Sequence, residues 1–188
     1  SPILESQSYK NQSINMSLRS GGPIYDFFTE DHRRLDLLFE AAIRDLPQVD
    51  LASYGAFRVG LLTHIKMEET ILFAAAQKAN GGTPLPLQDK LRRDHGALTS
   101  LMVSFPTLEV INVIRHILEE HDRLEEELGG MYEACERLTE NETEEILDRL
   151  KNVKPVPVHP FNEAPYVLEV IKRAVARAGF DFDLLCKR

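Results

Sequence analysis

The sequence has few cysteines, no long hydrophobic run and no excess of basic residues. Its two cysteines, Cys135 and Cys186, lie far apart in 188 residues, so a disulfide framework is not expected and a reducing cytoplasm is the simplest compartment. No window approaches the roughly 18 consecutive apolar residues of a transmembrane helix. The net charge of −8 argues against a nucleic-acid or anionic-membrane partner, because such partners require clustered lysine and arginine.

Several sequence patterns of enzymes and of binding modules are also missing. The sequence has no serine or cysteine nucleophile set with a base, no glycine-rich phosphate loop and no zinc-knuckle spacing. Residues 1–22 are rich in serine, asparagine and glutamine and contain no apolar run. They are therefore expected to form a flexible arm and not a secretory signal.

The remaining residues have the periodicity of helices. Apolar residues recur at three- and four-residue spacings in four long segments, which proline and glycine residues separate. This pattern predicts an all-α fold, an up-down four-helix bundle over residues 23–138. Gly129-Gly130 interrupts the fourth segment, where we expect a kink or bulge. Residues 139–188 are predicted to be a C-terminal appendage with two shorter helices, joined by an extended proline-rich stretch and packed on the bundle.

Two short motifs occur twice, in the same order. Asp-His-x-x-Leu is found at residues 31–35 and again at residues 94–98. A His-x-x-apolar-Glu-Glu motif follows each of them, at residues 64–69 and 121–126. Histidine and glutamate four residues apart lie on one face of a helix. This self-similarity predicts a duplicated helical pair.

Four histidines and two glutamates of these motifs are predicted to meet in the core as a metal site. A single core histidine is more often an ordinary buried residue, but a glutamate among apolar neighbours is costly to bury unless it is paired or binds a cation. Imidazole and carboxylate ligands suit iron, manganese or zinc, and two glutamates that can bridge favour two metal ions. The predicted ligands are His32, His64, Glu68, His95, His121 and Glu125.

The fourth helix also contains a second His/Glu pair. His116 and Glu120 are four residues apart, as are His121 and Glu125. The two histidines cannot both face the core, since five residues turn a helix by roughly 140°. We favour His121 and Glu125, because the apolar stripe brackets His121 whereas His116 lies toward its edge.

Other polar residues of the motifs are given lesser roles. Glu69 and Glu126 are expected to be solvated or to accept hydrogen bonds from ligating imidazoles. Asp31 and Asp94 are expected to be surface charges. Core packing, with lining of the site as the alternative, is expected for three tyrosines: Tyr25, Tyr54 and Tyr132.

The order of these residues resembles the hemerythrin-like (HHE cation-binding) domain, in its bacterial form. The resemblance covers residues 23–138 and depends on a histidine, a His-x-x-x-Glu, a third histidine and a second His-x-x-x-Glu on four helices. It implies a non-haem centre of two iron ions, which an oxo or hydroxo group could bridge, held by the six predicted ligands; zinc or manganese is the alternative. Thr99 stands where oxygen-carrying hemerythrins have a fifth histidine, which argues against reversible oxygen carriage.

The resemblance implies a protein that binds or senses oxygen, nitric oxide or iron itself. One alternative is a di-iron enzyme that acts on peroxide or nitric oxide. Another is a helical association module that holds zinc or no metal. We favour a metal-binding protein over an enzyme and predict no catalytic residue; a homodimer is compatible with the sequence.

Overall fold

The computed structural model describes residues 21–188, and all regular secondary structure within that range is helical. This confirms the all-α prediction. The predicted N-terminal arm falls almost entirely on residues 1–20, which lie outside the described residues. Among residues 21–188, no helix combines the length and the apolarity that a bilayer crossing requires.

The first two helices lie along each other. Helix α1 spans Pro23–Ile43 and begins with proline, whose missing N–H is of no consequence at a first helical position. Helix α2 spans Leu51–Met67. The Asp50 side chain caps it by accepting a hydrogen bond from the backbone N–H of Ser53 at 3.0 Å, as its sequence position indicates.

The second helix continues past Met67 through a wider turn. Glu68–Leu72 forms a π-helical turn, and the chain then returns to α-helix as α3, Phe73–Ala79, which Asn80 ends. A π turn adds one residue to the helical repeat and is frequent at functional sites. This turn begins at one of the predicted metal ligands.

The third and fourth predicted segments form helices α4, α5 and α6. Helix α4 spans Gln88–Leu101, and α5 spans Leu108–Glu126, capped by Thr107. Residues 127–130 form a complete break instead of the expected kink, because Glu127 is extended (ψ 161°) and Gly129 has a φ of 74°. Helix α6, Met131–Leu138, follows the break and contacts α1, α3 and α5.

The C-terminal residues pack on the preceding helices. After a 3₁₀ turn, Glu140–Glu142, helix α7 spans Thr143–Lys151 and contacts α1. Residues 153–164 have no regular structure. Helix α8 spans Pro165–Arg177 and packs against α4, and the short helix α9, Phe182–Leu185, which the sequence pattern did not indicate, contacts α5.

The apolar core consists of two clusters with a polar layer between them. On α1, Phe28 belongs to one cluster and Leu35 to the other, and the buried His32 lies between them. Helix α4 repeats this order around His95. The Phe28 cluster extends onto α6 and α7, and the Leu35 cluster extends onto α8 and α9. The predicted metal ligands lie in the layer that both clusters shield from water.

Candidate metal centre

The structure brings all six predicted ligands together in the polar layer. Each is buried, with at most 3% of its surface exposed. They form two groups, in each of which one potential ligand atom from every member lies within 4.8 Å of the others. The first group is His32, His64, Glu68 and Glu125, and the second is His95, His121, Glu68 and Glu125. Both glutamates belong to both groups, so the layer could hold two cations that share them.

The inner atoms of the layer lie close together, and several lack hydrogen bonds. Nε2 of His64 and Nε2 of His95 lie 2.6 and 2.7 Å from the two oxygens of Glu68. Nε2 of His121 lies 3.1 Å from Oε1 of Glu125. Yet Nε2 of His95, Oε2 of Glu68 and both oxygens of Glu125 have no hydrogen-bond partner of suitable geometry among residues 21–188. Buried atoms of this kind are costly unless a cation lies between them, so the residues fit a metal.

Two aspartates hold imidazoles from behind. The Nδ1 atom of His64 lies 2.8 Å from Asp31, and that of His121 lies 3.1 Å from Asp94. Our expectation that both aspartates are surface charges is wrong: Asp94 has no exposed surface and the Asp31 side chain is only 13% exposed. Because each carboxylate accepts the Nδ1 proton, Nε2 is free to bind a metal.

Two glutamates hold the remaining imidazoles in the same way. Nδ1 of His95 lies 2.7 Å from Oε1 of Glu69, and Nδ1 of His32 lies 2.6 Å from Oε1 of Glu126. Of the two roles considered for these glutamates, the structure shows the hydrogen-bonded one. All four predicted histidine ligands therefore have a carboxylate on the side away from the cluster.

Cations form a further layer around these carboxylates. The pairs are Arg34 with Asp31, Lys90 with Asp94, Arg92 with Glu69, and Arg33 with Glu126. Lys90 also donates to the carbonyl of Ala178 at 2.8 Å and lies 4.5 Å above the ring of Phe180. This lysine therefore connects the C-terminal residues to the carboxylate that orients His121.

The carboxylates raise the pKa values of the imidazoles. Burial lowers the pKa of His64, but the charge of Glu68 and the hydrogen bond to Asp31 outweigh it and raise the value to about 9. Burial also lowers the pKa values of His32 and His121, but the neighbouring carboxylates outweigh it. Both pKa values therefore lie well above the ordinary value. Protons and metal cations therefore compete for the same ring nitrogens.

Tyr132, at the start of α6, also reaches the polar layer. Its hydroxyl donates to Oε1 of Glu68 at 2.6 Å and lies 3.0 Å from Nε2 of His32 and 3.2 Å from Nε2 of His64. The ring stacks on Phe28, with centroids 5.1 Å apart. The Tyr132 ring therefore packs in the core, as expected, whereas its hydroxyl lines the candidate site, which was the alternative. The sequence offers one signal for this role, a phenol just after the Gly-Gly interruption.

A small cavity borders the layer on the side of the Leu35 cluster. It measures about 10 Å³, and His32, His64, His121 and Asp122 contribute to its polar wall. That volume is close to the least that admits a water molecule. Asp122, which the sequence pattern did not single out, lies 3.5 Å from Nε2 of His32, and burial raises its pKa to about 6.

The alternative pair on α5 lies elsewhere. His116 and Glu120 line a surface groove, and Glu120 pairs with Arg123 at 2.7 Å. Neither residue belongs to the two ligand groups found within residues 21–188. The geometry therefore favours His121 and Glu125 as ligands.

Comparison of the chain with protein-family models, with curated protein sequences and with solved structures found no significant match. The function must therefore be inferred from the residues of the site.

Proposed function

We propose that the chain is a non-haem di-iron binding protein of the hemerythrin-like type. In this proposal α1, the continuous α2–α3, α4 and α5 are the helices of an up-down four-helix bundle. The observation that carries it is the pair of buried ligand groups that share Glu68 and Glu125. Each of two cations would have two imidazoles and the two shared carboxylates as ligands.

The ligand chemistry supports iron over zinc. Structural zinc sites are usually closed by four ligands, often thiolates, and this cluster contains no cysteine. Histidine and carboxylate ligands that leave positions open are typical of non-haem iron centres. Zinc and manganese are the alternative metals, and metal analysis distinguishes them.

The surroundings of the site support a small ligand. The cavity beside the histidines measures about 10 Å³, close to the least that admits one water molecule, and the two apolar clusters exclude larger polar substrates. Iron bound in this layer would supply the affinity for such a ligand. The function proposed is therefore the binding or sensing of oxygen or nitric oxide, or of iron itself.

A reaction with peroxide or nitric oxide is the second candidate function. The observation that favours it is Asp122, whose carboxylate lies at the cavity wall and within 3.5 Å of Nε2 of His32. A carboxylate at that position could hold or release a proton beside a bound substrate.

The test is the metal content of protein purified anaerobically, followed by optical spectra when air is admitted. We expect two iron ions per chain, one for each ligand group. Spectral changes that reverse under vacuum would identify oxygen binding, and irreversible oxidation would favour a redox or nitric oxide role. Turnover of peroxide or nitric oxide would identify the enzyme. Protein that binds only zinc, or no metal after incubation with ferrous iron, would refute the di-iron proposal.

A further inference from the structure

We infer that Tyr132 is an additional ligand of this centre and binds a ferric ion between His32 and His64 through its phenolate oxygen. The inference depends on the proposed function, because it requires a metal in the group that contains these two histidines. The ligand group described above consists of two imidazoles and two carboxylates.

The distances around the hydroxyl are those of neighbouring ligands on one metal. The Tyr132 oxygen lies 2.6 to 3.2 Å from one atom each of Glu68, His32 and His64. Ligand atoms that lie about 2.1 Å from a metal and at right angles to each other are about 3 Å apart. The phenol oxygen therefore lies at the spacing that a further coordination position would have.

In metal-free protein with protonated imidazoles all three contacts can be hydrogen bonds, because Nε2 of His32 and Nε2 of His64 can then donate to the phenol oxygen. The Tyr132 hydroxyl has a single proton, which it donates to Glu68. Metal ligation requires neutral imidazoles, and the carboxylates on the Nδ1 atoms fix the protons of His32 and His64 on the far side of each ring. The Nε2 lone pairs then face the lone pairs of the phenol oxygen. These lone pairs repel each other. A cation between Nε2 of His32, Nε2 of His64 and the Tyr132 oxygen would remove this repulsion by binding all three atoms as ligands.

The Tyr132 ring has no freedom to turn away from the layer. It is fully buried, stacks on Phe28 and meets the edge of the Tyr25 ring at 6.3 Å. The break at residues 127–130 starts α6 at the level that places this ring against the polar layer. The phenol is therefore held in position by the fold, as a metal ligand needs to be.

Within residues 21–188, no tyrosine hydroxyl is hydrogen-bonded to His95 or His121 of the second ligand group. There the ring of Phe73 stacks on His95, with centroids 6.0 Å apart. The two metal ions would therefore differ, and only the one near His32 would gain an anionic phenolate. Tyrosine is an established type of iron ligand, as in some haem proteins. On binding, the phenol exchanges its O–H bond for an O–Fe bond and releases one proton to solvent, without electron transfer.

The experiment uses iron-loaded protein with all iron in the ferric state. Ferrous iron is added anaerobically, and ferricyanide then removes one electron from each ion. We expect a visible phenolate-to-iron charge-transfer band and the resonance Raman vibrations of an iron-bound tyrosinate. Both signals should be lost in Tyr132→Phe, with the bound iron still present.

Tyr54→Phe and Tyr25→Phe are the matched controls. Tyr54 is equally buried but belongs to the Leu35 cluster, and its hydroxyl has no hydrogen-bond partner among the described residues. The Tyr25 hydroxyl donates to the backbone carbonyl of Glu126 at 2.9 Å. Both controls should keep the tyrosinate signals.

Three outcomes overturn the inference. Ferric wild-type protein with bound iron but without tyrosinate signals would exclude Tyr132 as a ligand while the di-iron proposal stands. This result is obtained without any variant, so it does not depend on whether a variant folds. Signals that persist in Tyr132→Phe would assign the phenolate to another tyrosine. Protein that binds no iron would refute the proposed function, and the inference with it, so metal analysis of each sample separates the two failures.

Discussion

Replacement of Glu125 by glutamine is the most direct test of the shared-ligand arrangement. The Glu125 side chain has no exposed surface, and neither of its oxygens has a hydrogen-bond partner within residues 21–188. Nε2 of His121 lies 3.1 Å and Nε2 of His32 lies 3.4 Å from Oε1 of Glu125. Glutamine keeps the size of the side chain but removes the negative charge from both ligand groups. We therefore expect bound metal to fall from two ions per chain to one or none.

The effect on stability should have opposite signs with and without metal. A metal at a thousandfold excess over its dissociation constant stabilises the folded chain by about 4 kcal/mol. For a protein of this size, each 1 kcal/mol corresponds to about 2–4 °C in the melting temperature, so each lost ion should cost roughly 10 °C. In metal-free protein at alkaline pH, where the imidazoles are neutral, Glu125→Gln should melt at or above the wild-type temperature, because an unpaired buried carboxylate carries a desolvation cost of several kcal/mol.

The assay is thermal unfolding of each protein before and after treatment with a chelator, together with metal analysis. Glu120→Gln is the control, because Glu120 occupies the alternative register, is 44% exposed and pairs with Arg123. This control should bind and lose metal as the wild type does. If Glu125→Gln keeps two metals and the full response to the chelator, Glu125 is not a shared ligand. If the control loses metal instead, the alternative register is the correct one.

Three further predictions concern the imidazoles and their partners. His121→Ala should lower bound metal markedly while His116→Ala leaves it near normal, and metal analysis showing the reverse would assign the site to His116. Asp94→Asn should weaken metal affinity roughly 10- to 100-fold, whereas Asp89→Asn, at an exposed side chain, should not; equal affinities in a metal titration would show that Asp94 does not orient a ligand. Because folding raises the pKa of His64 from 6.5 to about 9, its protonation stabilises metal-free protein most below pH 6.5, and this contribution disappears as pH rises to about 9. Metal affinity should increase over the same pH range, because fewer protons then compete for the ring nitrogens. If the melting temperature of the chelated protein rises with pH, the assignment is contradicted.

Helical periodicity was sufficient to predict which histidines enter the polar layer. His32 and His95 each lie between apolar residues at helical spacing, and such positions face the core however the helices are connected. The prediction of an interruption at Gly129-Gly130 was correct in position, but a kink or bulge was expected where the structure has a complete break between two helices. The kind of interruption depends on how the following helix packs.

The roles of Asp31, Asp94 and Tyr132 depend on contacts between helices. Each aspartate precedes a histidine ligand by one residue, so it lies about 100° around the helix from that ligand and points toward the neighbouring helix. Its partner is a histidine there, 33 residues away for Asp31 and 27 for Asp94. No local spacing contains that information. The position of Tyr132 likewise depends on where α6 starts after the break.

The hydrogen bonds around the imidazoles connect the four helices in a closed ring. The two helical pairs contribute equivalent contacts to it. The ring runs from Asp31 to His64, from Glu69 to His95, from Asp94 to His121 and from Glu126 to His32. Each aspartate holds a histidine of its own helical pair, and each glutamate holds a histidine of the other pair. The pairs thus meet as the subunits of a twofold-symmetric dimer do, where every contact is returned by its equivalent. The centre resembles in this sense a subunit interface within one chain, in which residues 80–87 connect the two equivalent helical pairs.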